Sequence, residues 1–239
     1  CKLPMHMQSK PATVFFPTEM LAYLNQTTKC REFNTMGDTT NLKRNQPAKI
    51  NEILAQVDTP ALIVDLDAFE NNLKTMETKV KEASVTLRPH SKTYKSPWIG
   101  HKQKERGAIG LCCQKISEAE IMVDGGIKDI LISNQVVGTS KTDRLASLNR
   151  DARVMICVDH MDAVSELSAA AARFHVTIET LVEIEVGGGR CGVASDKEAL
   201  ELAHAINNDT NLKFTGLQAY HGAAQHIRNH ADRKTAINK

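Results

Sequence analysis

The 239-residue sequence lacks long hydrophobic runs, is poor in aromatic residues and carries almost no net charge. No stretch of about 18 or more apolar residues occurs, which argues against a transmembrane helix. Thirty basic and 28 acidic residues give a formal charge of +2, whereas nucleic-acid-binding domains usually show a strong basic excess. With only 13 glycines and 7 prolines, the chain is neither collagen-like nor of low complexity. We expect a globular protein that binds neither nucleic acid nor membrane.

Paired cysteine motifs are also missing. The six cysteines are Cys1, Cys30, Cys112, Cys113, Cys157 and Cys191. They form no CxxC pair and most lie in apolar runs, which predicts a reducing compartment and neither a disulfide framework nor a zinc ribbon. The N-terminus has no secretory signal and no initiator methionine, so we expect a cytoplasmic protein whose N-terminus is incomplete. This incompleteness leaves organellar targeting open.

Two regions differ in pattern. Residues 1–55 contain a polar stretch without clear periodicity, and we predict a poorly ordered or partly helical N-terminal extension. Within it, residues 50–57 favour a short helical turn. Residues 56–239 alternate apolar runs with segments of helical period, and we predict that they form one domain.

Seven short apolar runs are the predicted strands. They cover residues 61–66, 85–90, 108–113, 129–134, 153–159, 177–186 and 213–220. Most intervals have helical period: Asp67 with Glu70 predicts one helix start, Ser195 with Glu198 predicts another, and residues 116–126 and 164–174 favour helices. Continuous apolar strands indicate a parallel sheet with both faces covered.

This βα repeat predicts an α/β protein with a (β/α)₈ barrel. An open doubly wound sheet is the alternative, although no GxGxxG follows the first strand. The chain stops after the seventh predicted strand, so the barrel is expected to be incomplete at the C-terminus.

Polar and cationic residues follow the predicted strands, at the end where barrel enzymes carry their active sites. Lys92 is a candidate Schiff-base lysine, because neighbouring positive charge at Arg88, His90 and Lys95 favours the neutral amine that attacks a carbonyl. A solvated basic loop is the other interpretation of this stretch.

The GGGRCG segment at 187–192 is a second candidate. Its glycines let backbone N–H groups approach a phosphate, and Arg190 adds donors that stay protonated. Gly192 and Val193 are predicted to open the next helix, whose dipole favours an anion. A plain flexible turn is the alternative.

His221, His226 and His230 invite comparison with a metal site, but no carboxylate or thiol lies nearby at a useful spacing. A single histidine acting as a general base is the favoured interpretation. Cys112 and Cys113 are adjacent in a strand and point to opposite faces, so joint metal ligation is not expected.

Five segments together resemble a known family. They are DTPALIVDLDAFENNL (58–73), RPHSKTYKS (88–96), GLCCQKISEAE (110–120), VGGGRCGV (186–193) and GLQAYHGAAQH (216–226). They are similar to D-threonine aldolase, 3-hydroxy-D-aspartate aldolase and D-serine dehydratase, pyridoxal-phosphate enzymes of alanine-racemase-like fold. The resemblance covers residues 57–230. It implies the barrel of the alanine racemase N-terminal type, with the family's C-terminal β domain absent from this chain.

The resemblance also implies roles. The implied cofactor-binding positions are Lys92, His90, Gln114, Arg190, Gly192, Val193 and Tyr220. Lys92 resembles the lysine that binds pyridoxal phosphate covalently, and Arg190 the arginine that faces the pyridine nitrogen. His226 resembles the proposed catalytic base. Two positions depart from the family pattern: Tyr94 replaces a histidine, and Gly188 replaces a larger residue.

The function implied is retro-aldol cleavage of a small D-configured β-hydroxy amino acid, D-threonine or 3-hydroxy-D-aspartate, to glycine and an aldehyde. Alternatives are D-serine dehydration on the same scaffold, or a non-catalytic pyridoxal-phosphate-binding protein; the AYHGAAQH segment favours the aldolase. Full-length members are expected to be homodimers that use a divalent metal (Mn, Mg or Zn) held by their C-terminal domain, so no metal ligand is expected in this chain.

Overall fold

The computed structural model describes residues 48, 49 and 51–238. The chain divides into two compact units, Cys1–Asn72 and Leu73–Lys239. The predicted boundary between residues 55 and 56 stays a prediction, because most of the predicted N-terminal extension lies outside the described residues. No helix in the described part is both long and apolar enough to cross a membrane.

In the first unit, a 3₁₀ turn at Leu54–Gln56 lies within the segment predicted to make a helical turn. The strand predicted at 61–66 is wrong: residues 61–65 form no strand, and the Leu62 side chain is 92% exposed. An apolar run by itself does not supply the neighbouring strand that a ladder requires, so hydrophobicity alone overpredicted this element.

Helix α1, Leu66–Glu82, begins at the last residue of this predicted strand. The carboxylate of Asp65 accepts a hydrogen bond from the N–H of Ala68, with N and Oδ1 2.9 Å apart. The predicted N-cap, Asp67, instead lies in the first turn. Both aspartates suit a helix N-terminus, and the earlier one satisfies the unpaired N–H group.

The second unit contains a five-stranded parallel sheet within the described residues. Its strands are β1 Leu111–Cys113, β2 Asp129–Ile132, β3 Arg153–Val158, β4 Ile178–Ile184 and β5 Leu212–Ala219. Its helices are α2 Pro97–Glu105, α3 Ile116–Asp124, α4 Thr139–Leu148, α5 Met161–Phe174, α6 Asp196–Asn208 and α7 His230–Ile237.

The strands lie side by side in chain order, β1-β2-β3-β4-β5. A doubly wound sheet reverses its strand order at a switch point, whereas a (β/α)₈ barrel keeps chain order throughout. The topology therefore confirms the α/β barrel interpretation and excludes the open-sheet alternative. The strands form one continuous arc of such a barrel.

The strand predicted at 85–90 is only partly formed. This segment runs beside β1, and the N–H groups of Ile109 and Cys112 donate to the carbonyls of Leu87 and Pro89, at 3.0 and 2.7 Å. A single bridge pairs His90 with Cys112. Pro89 has no N–H to donate, so the ladder is interrupted at its centre.

The two faces of the sheet pack differently. One face packs with the helices into the main core, around fully buried residues such as Ile130, Ile156 and Ile178. The opposite face carries a smaller cluster of Leu131, Met155 and Cys157. Burying each such side chain contributes about 1.5–3 kcal/mol.

Adjacent residues of β1 divide between these two faces. Cys113 packs into the main core, whereas Cys112 packs against the smaller cluster, which confirms that the two thiols point to opposite faces. Burial raises the pKa of the Cys113 thiol to about 11. The capping box of α6 is also confirmed, with Ser195 and Glu198 each accepting from the other's N–H, at 3.3 and 3.1 Å.

Candidate active site

An open cavity of about 320 Å³ lies beyond the carboxyl ends of β4 and β5. Its polar lining includes Glu183, Gly188, Arg190, Tyr220, Gln225 and His226. Three residues predicted from the sequence, Arg190, Tyr220 and His226, are thus brought together from two neighbouring βα connections. The arc of the barrel explains this grouping, because parallel strands deliver the residues that follow them to one end.

Arg190 and Tyr220 are in direct contact. The guanidinium lies over the phenol ring, 5.3 Å from the ring centroid, and the Tyr220 hydroxyl accepts from the Gln225 amide at 3.1 Å. A Cβ at Gly222 would lie 2.9 Å from the Tyr220 ring, so only glycine leaves the ring this position. Within the described residues no carboxylate forms an ion pair with Arg190, which lines the cavity.

His226 ends a short 3₁₀ helix, Gly222–His226, that follows β5. His221 caps this helix: its Nδ1 accepts from the N–H of Ala224 at 3.3 Å. His226 itself is exposed and lines the cavity, where its imidazole can exchange a proton with a bound molecule. No group of three potential metal ligands occurs among the described residues.

His90, Lys92 and Gln114 form a second group, at the ends of the 85–90 segment and β1. His90 Nδ1 accepts from the backbone N–H of Lys92 at 3.2 Å. Burial, together with the positive charge of Lys92, lowers the pKa of His90, which favours its neutral form. These three residues do not line the cavity, although they lie at the same end of the sheet.

The turn that carries Lys92 is fixed to α3 by a buried carboxylate. Glu118 forms an ion pair with Lys95 and accepts from the backbone N–H of Gln114 at 2.9 Å. Ser91 is fully buried and its N–H donates to the carbonyl of Cys112 at 2.8 Å. Lys92 is therefore an exposed side chain on an anchored backbone.

Tyr94 and Gly188, the two positions that depart from the family pattern, are both accommodated by their surroundings. The Tyr94 hydroxyl donates to Gln103 Oε1 at 2.7 Å, and burial raises the pKa of this phenol. Gly188 has its nearest contact, for an added Cβ, at 3.4 Å from the Tyr220 carbonyl oxygen. A larger residue there is therefore sterically tolerated.

Two polar contacts lie between the His90–Lys92–Gln114 group and the cavity, and both involve residues of the loop after β2. The ring nitrogen Nε2 of His90 lies 3.4 Å from Ser133 Oγ, and the Gln135 amide donates to Glu183 at 2.6 Å. Glu183 is 3% exposed, and burial, reinforced by the charge of Asp159, raises its pKa. The cavity thus has a buried carboxyl group in its wall.

The glycine-rich loop after β4 is already occupied by an anion from the chain itself. The carboxylate of Glu185 accepts from the N–H groups of Gly187, Gly188 and Arg190, at 2.5, 2.5 and 3.1 Å. The backbone N–H groups of the loop, that of Gly189 first and then those of Gly187, Arg190 and Gly188, lower the pKa of Glu185. The loop is a backbone nest of the predicted kind, but its ligand is a carboxylate of this protein.

Gly192 and Val193 do not open a helix, since α6 begins at Asp196. The N–H of Gly192 donates to Asp159 at 3.0 Å, and that of Val193 donates to the Glu183 carbonyl at 2.9 Å. Both groups are hydrogen-bonded within the chain, so this geometry does not support them as phosphate donors.

Sequence reasoning missed the acidic residues around the cavity. Glu183 lies two residues after Leu181 in β4 and therefore on the same face of the sheet, whereas Glu185 directly follows the end of this strand. This spacing was the available signal. The partner of Glu183, Gln135, lies in a loop after β2 and is brought to it by the sheet.

Comparison with known proteins relates this geometry to a family. The model of the family described as alanine racemase, N-terminal domain, matches residues 64–238. A D-threonine aldolase from Arthrobacter sp. is 46% identical over 187 residues, which are 78% of this chain and 49% of that protein. A 3-hydroxy-D-aspartate aldolase from Paracoccus denitrificans is 42% identical over 185 residues, covering 77% and 48% of the two chains.

Among solved structures, the crystal structure of D-threonine aldolase from Filomicrobium marinum superposes with a TM-score of 0.74 at 51% identity. The match covers 77% of this chain and 50% of that one. The chain therefore spans about half the length of the relatives it matches.

Proposed function

The chain belongs to the family of the alanine racemase N-terminal domain, and we propose that it acts as a pyridoxal-phosphate-dependent lyase on D-configured β-hydroxy amino acids. The observation that supports this function is the convergence of Arg190, Tyr220 and His226 on one cavity at the carboxyl end of the sheet. The relatives named D-threonine aldolase and 3-hydroxy-D-aspartate aldolase supply the substrate class, D-threonine or 3-hydroxy-D-aspartate.

The donor set at this end of the sheet suits the aldehyde and the pyridine nitrogen of pyridoxal phosphate. Lys92 offers an exposed primary amine on an anchored turn, which would hold the cofactor covalently. Arg190 offers a guanidinium, which would donate to the pyridine nitrogen without giving up its proton. His90, Gln114 and Tyr220 would supply further polar contacts, while Gly192 and Val193 contribute backbone shape rather than donors.

When bound, pyridoxal phosphate withdraws electrons from the substrate's Cα. The chain's own contribution to cleavage is proton transfer and orientation. His226 takes the proton of the β-hydroxyl as the Cα–Cβ bond breaks and the aldehyde leaves, and Cα gains a proton to give glycine. Arg190, stacked on Tyr220, would help to orient the pyridine ring of the bound cofactor.

A divalent metal that polarises the substrate hydroxyl is part of the family expectation. The described residues contain no group of three side chains that could hold such an ion.

We also propose that the full-length protein is a homodimer, which light scattering tests directly.

Covalent attachment of the cofactor is the first test. Pyridoxal phosphate is added to the purified chain, the adduct is reduced with borohydride, and the modified lysine is located by peptide mass spectrometry. We expect the label on Lys92 and its loss in Lys92→Ala. Lys115→Ala, which removes an exposed lysine after β1, is the matched control. Equal labelling of several lysines would contradict a specific site.

Product analysis then decides between the candidate reactions. The aldolase proposal predicts glycine and an aldehyde from D-threonine and none from L-threonine, with activity lost in His226→Ala. Ammonia and a keto acid would instead indicate a dehydratase. Specific attachment at Lys92 without turnover of either D-threonine or 3-hydroxy-D-aspartate would favour the non-catalytic cofactor-binding protein.

A further inference from the structure

We infer that Glu185 is a positioning residue: its carboxylate fills the nest of the Gly187–Arg190 loop and thereby holds Arg190 at the cavity. This inference rests on the proposed function only for the identity of the group that Arg190 meets. The hydrogen bonds that carry it are independent of any ligand.

The base of the loop is closed by backbone pairing. The N–H of Glu185 donates to the carbonyl of Val193, and the N–H of Val193 donates back to the carbonyl of Glu183, both at 2.9 Å. A Cβ at Gly192, whose φ is +102°, would lie 2.6 Å from the backbone nitrogen of Glu185. Only glycine permits this close approach.

The tip of the loop has no such backbone support. Gly187 and Gly189 have φ angles of +108° and +60°, and residues 187–190 are all exposed. Their N–H groups would point to water without the Glu185 carboxylate, which binds those of Gly187, Gly188 and Arg190 together. Three N–H donors around one carboxylate are the main restraint that the structure gives to this segment.

Arg190 is the last residue of this nest, since its own N–H is one of the three donors. Its guanidinium then stacks on Tyr220, which comes from the other strand connection. Glu185 therefore acts on Arg190 through the backbone and does not need to touch a bound molecule. The same contacts leave the nest closed to an external phosphate.

Hydrogen exchange measured on peptides covering residues 186–191 tests the restraint without any cofactor. In Glu185→Ala we expect the amides of Gly187, Gly188 and Arg190 within these peptides to exchange about tenfold faster, because each loses a charge-assisted hydrogen bond. Added acetate should restore protection, since it supplies the missing carboxylate, whereas chloride at equal ionic strength should not. Unchanged exchange in Glu185→Ala would overturn the inference.

Glu166→Ala is the matched control. Glu166, like Glu185, is a half-buried glutamate that accepts from a glycine N–H, that of Gly138 at 3.0 Å, but it does not line the cavity. We expect faster exchange at residue 138 only, with residues 186–191 unaffected. A rise at both places in both variants would indicate general loosening and would also overturn the inference.

A double-mutant cycle tests whether Glu185 acts through Arg190. We expect Glu185→Ala and Arg190→Ala each to weaken pyridoxal-phosphate binding about tenfold, and the double variant to be no weaker than Arg190→Ala alone. Independent, multiplicative losses would overturn the positioning role. If the unmodified chain binds no pyridoxal phosphate, the proposed function fails, while the exchange experiment still decides the role of Glu185.

Discussion

Charged side chains at the two ends of the parallel sheet differ in whether they pair with each other. At the amino ends of the strands, charged side chains pair with one another across neighbouring strands. The pairs are Arg88–Asp129, Asp129–Arg153, Arg153–Glu179 and Glu179–Lys213, with the closest atoms 2.5, 2.9, 2.5 and 3.6 Å apart. At the carboxyl ends, Arg190 and His226 face an open cavity instead.

The charged residues at the amino ends therefore contribute to stability, whereas those at the carboxyl ends are available for function. The charge ladder at the amino ends, from Arg88 to Lys213, alternates in sign, and each of its charges has an opposite charge of the protein within ion-pair distance. The carboxyl ends keep donors and acceptors that a bound molecule can use. A barrel that carries its chemistry at one end and its stabilising contacts at the other shows this division.

Gly110→Ala should damage the ladder most. A Cβ at this position would overlap Arg88 Nη1 and the carbonyl oxygen of Asp129, and would lie 2.7 Å from Asp129 Oδ1. Since the Arg88 side chain is only 12% exposed, the displaced charge cannot easily reach water. We expect the free energy of unfolding, from urea titration, to fall by about 3 kcal/mol. A loss below that of an ordinary surface substitution would contradict the steric argument.

Arg153→Met should have a smaller effect on stability and none on the cavity. Arg153 donates to both Asp129 and Glu179, and these contacts raise its pKa, the Glu179 hydrogen bond being the largest cause. Because nearly half of the side chain is exposed, we expect a loss of only about 1 kcal/mol in urea titration. Pyridoxal-phosphate affinity should be unchanged, in contrast to Arg190→Ala. Weaker cofactor binding in Arg153→Met would break the proposed separation of the two ends.

Two glutamates of β4 should respond to pH with opposite signs. Hydrogen bonding to Arg153 lowers the pKa of Glu179, so its contribution to stability is present above its unfolded pKa of about 4.5 and is lost as the pH falls through the folded value. Burial raises the pKa of Glu183, so its ionisation destabilises the fold as the pH rises above about 4.5.

Urea titrations of Glu179→Gln and Glu183→Gln between pH 4 and pH 8 measure this contrast. At pH 7 we expect Glu183→Gln to be more stable than the unmodified chain by about 1 kcal/mol, and Glu179→Gln to be less stable by a similar amount. Both differences should shrink toward pH 4. Curves of the same sign for both variants would refute the assignment of the two environments.

Gly188→Ala should have the smallest effect and serves as the counterpart of Gly110→Ala. An added Cβ at Gly188 meets its nearest atom at ordinary van der Waals distance, 3.4 Å. We expect the free energy of unfolding to change by less than about 0.5 kcal/mol. A loss as large as that of Gly110→Ala would show that the carboxyl-end loop is as tightly constrained as the ladder.

The sequence correctly predicts those elements whose signal lies within a few neighbouring residues. The apolar runs of β2, β3, β4 and β5 and the Ser195–Glu198 box appear as predicted, because each depends on residues a few positions apart. The run at 61–66 failed because a strand also needs a neighbour, which hydrophobicity does not encode. Pro89 likewise limited the second predicted strand.

The candidate site divides in the same manner. Residue types and their positions after strands pointed to Arg190, Tyr220 and His226, which the structure brings to one cavity. The glycine segment was predicted to bind a phosphate through its N–H groups, and in the structure these groups bind the carboxylate of Glu185. Recognising Glu185 as the occupant required the path of the backbone, which turns the loop over its own carboxylate.

The alternation of strands and helices, the family resemblance and the identities of the residues at the strand ends follow from the amino-acid sequence, because these depend on order along the chain. The tertiary structure alone decided which polar groups are satisfied internally. Ion pairs such as Arg88–Asp129 and hydrogen bonds such as Gln135–Glu183 join residues more than 40 positions apart. Whether a charge is paired or left for a ligand depends on distances across strands, and only the folded sheet sets those distances.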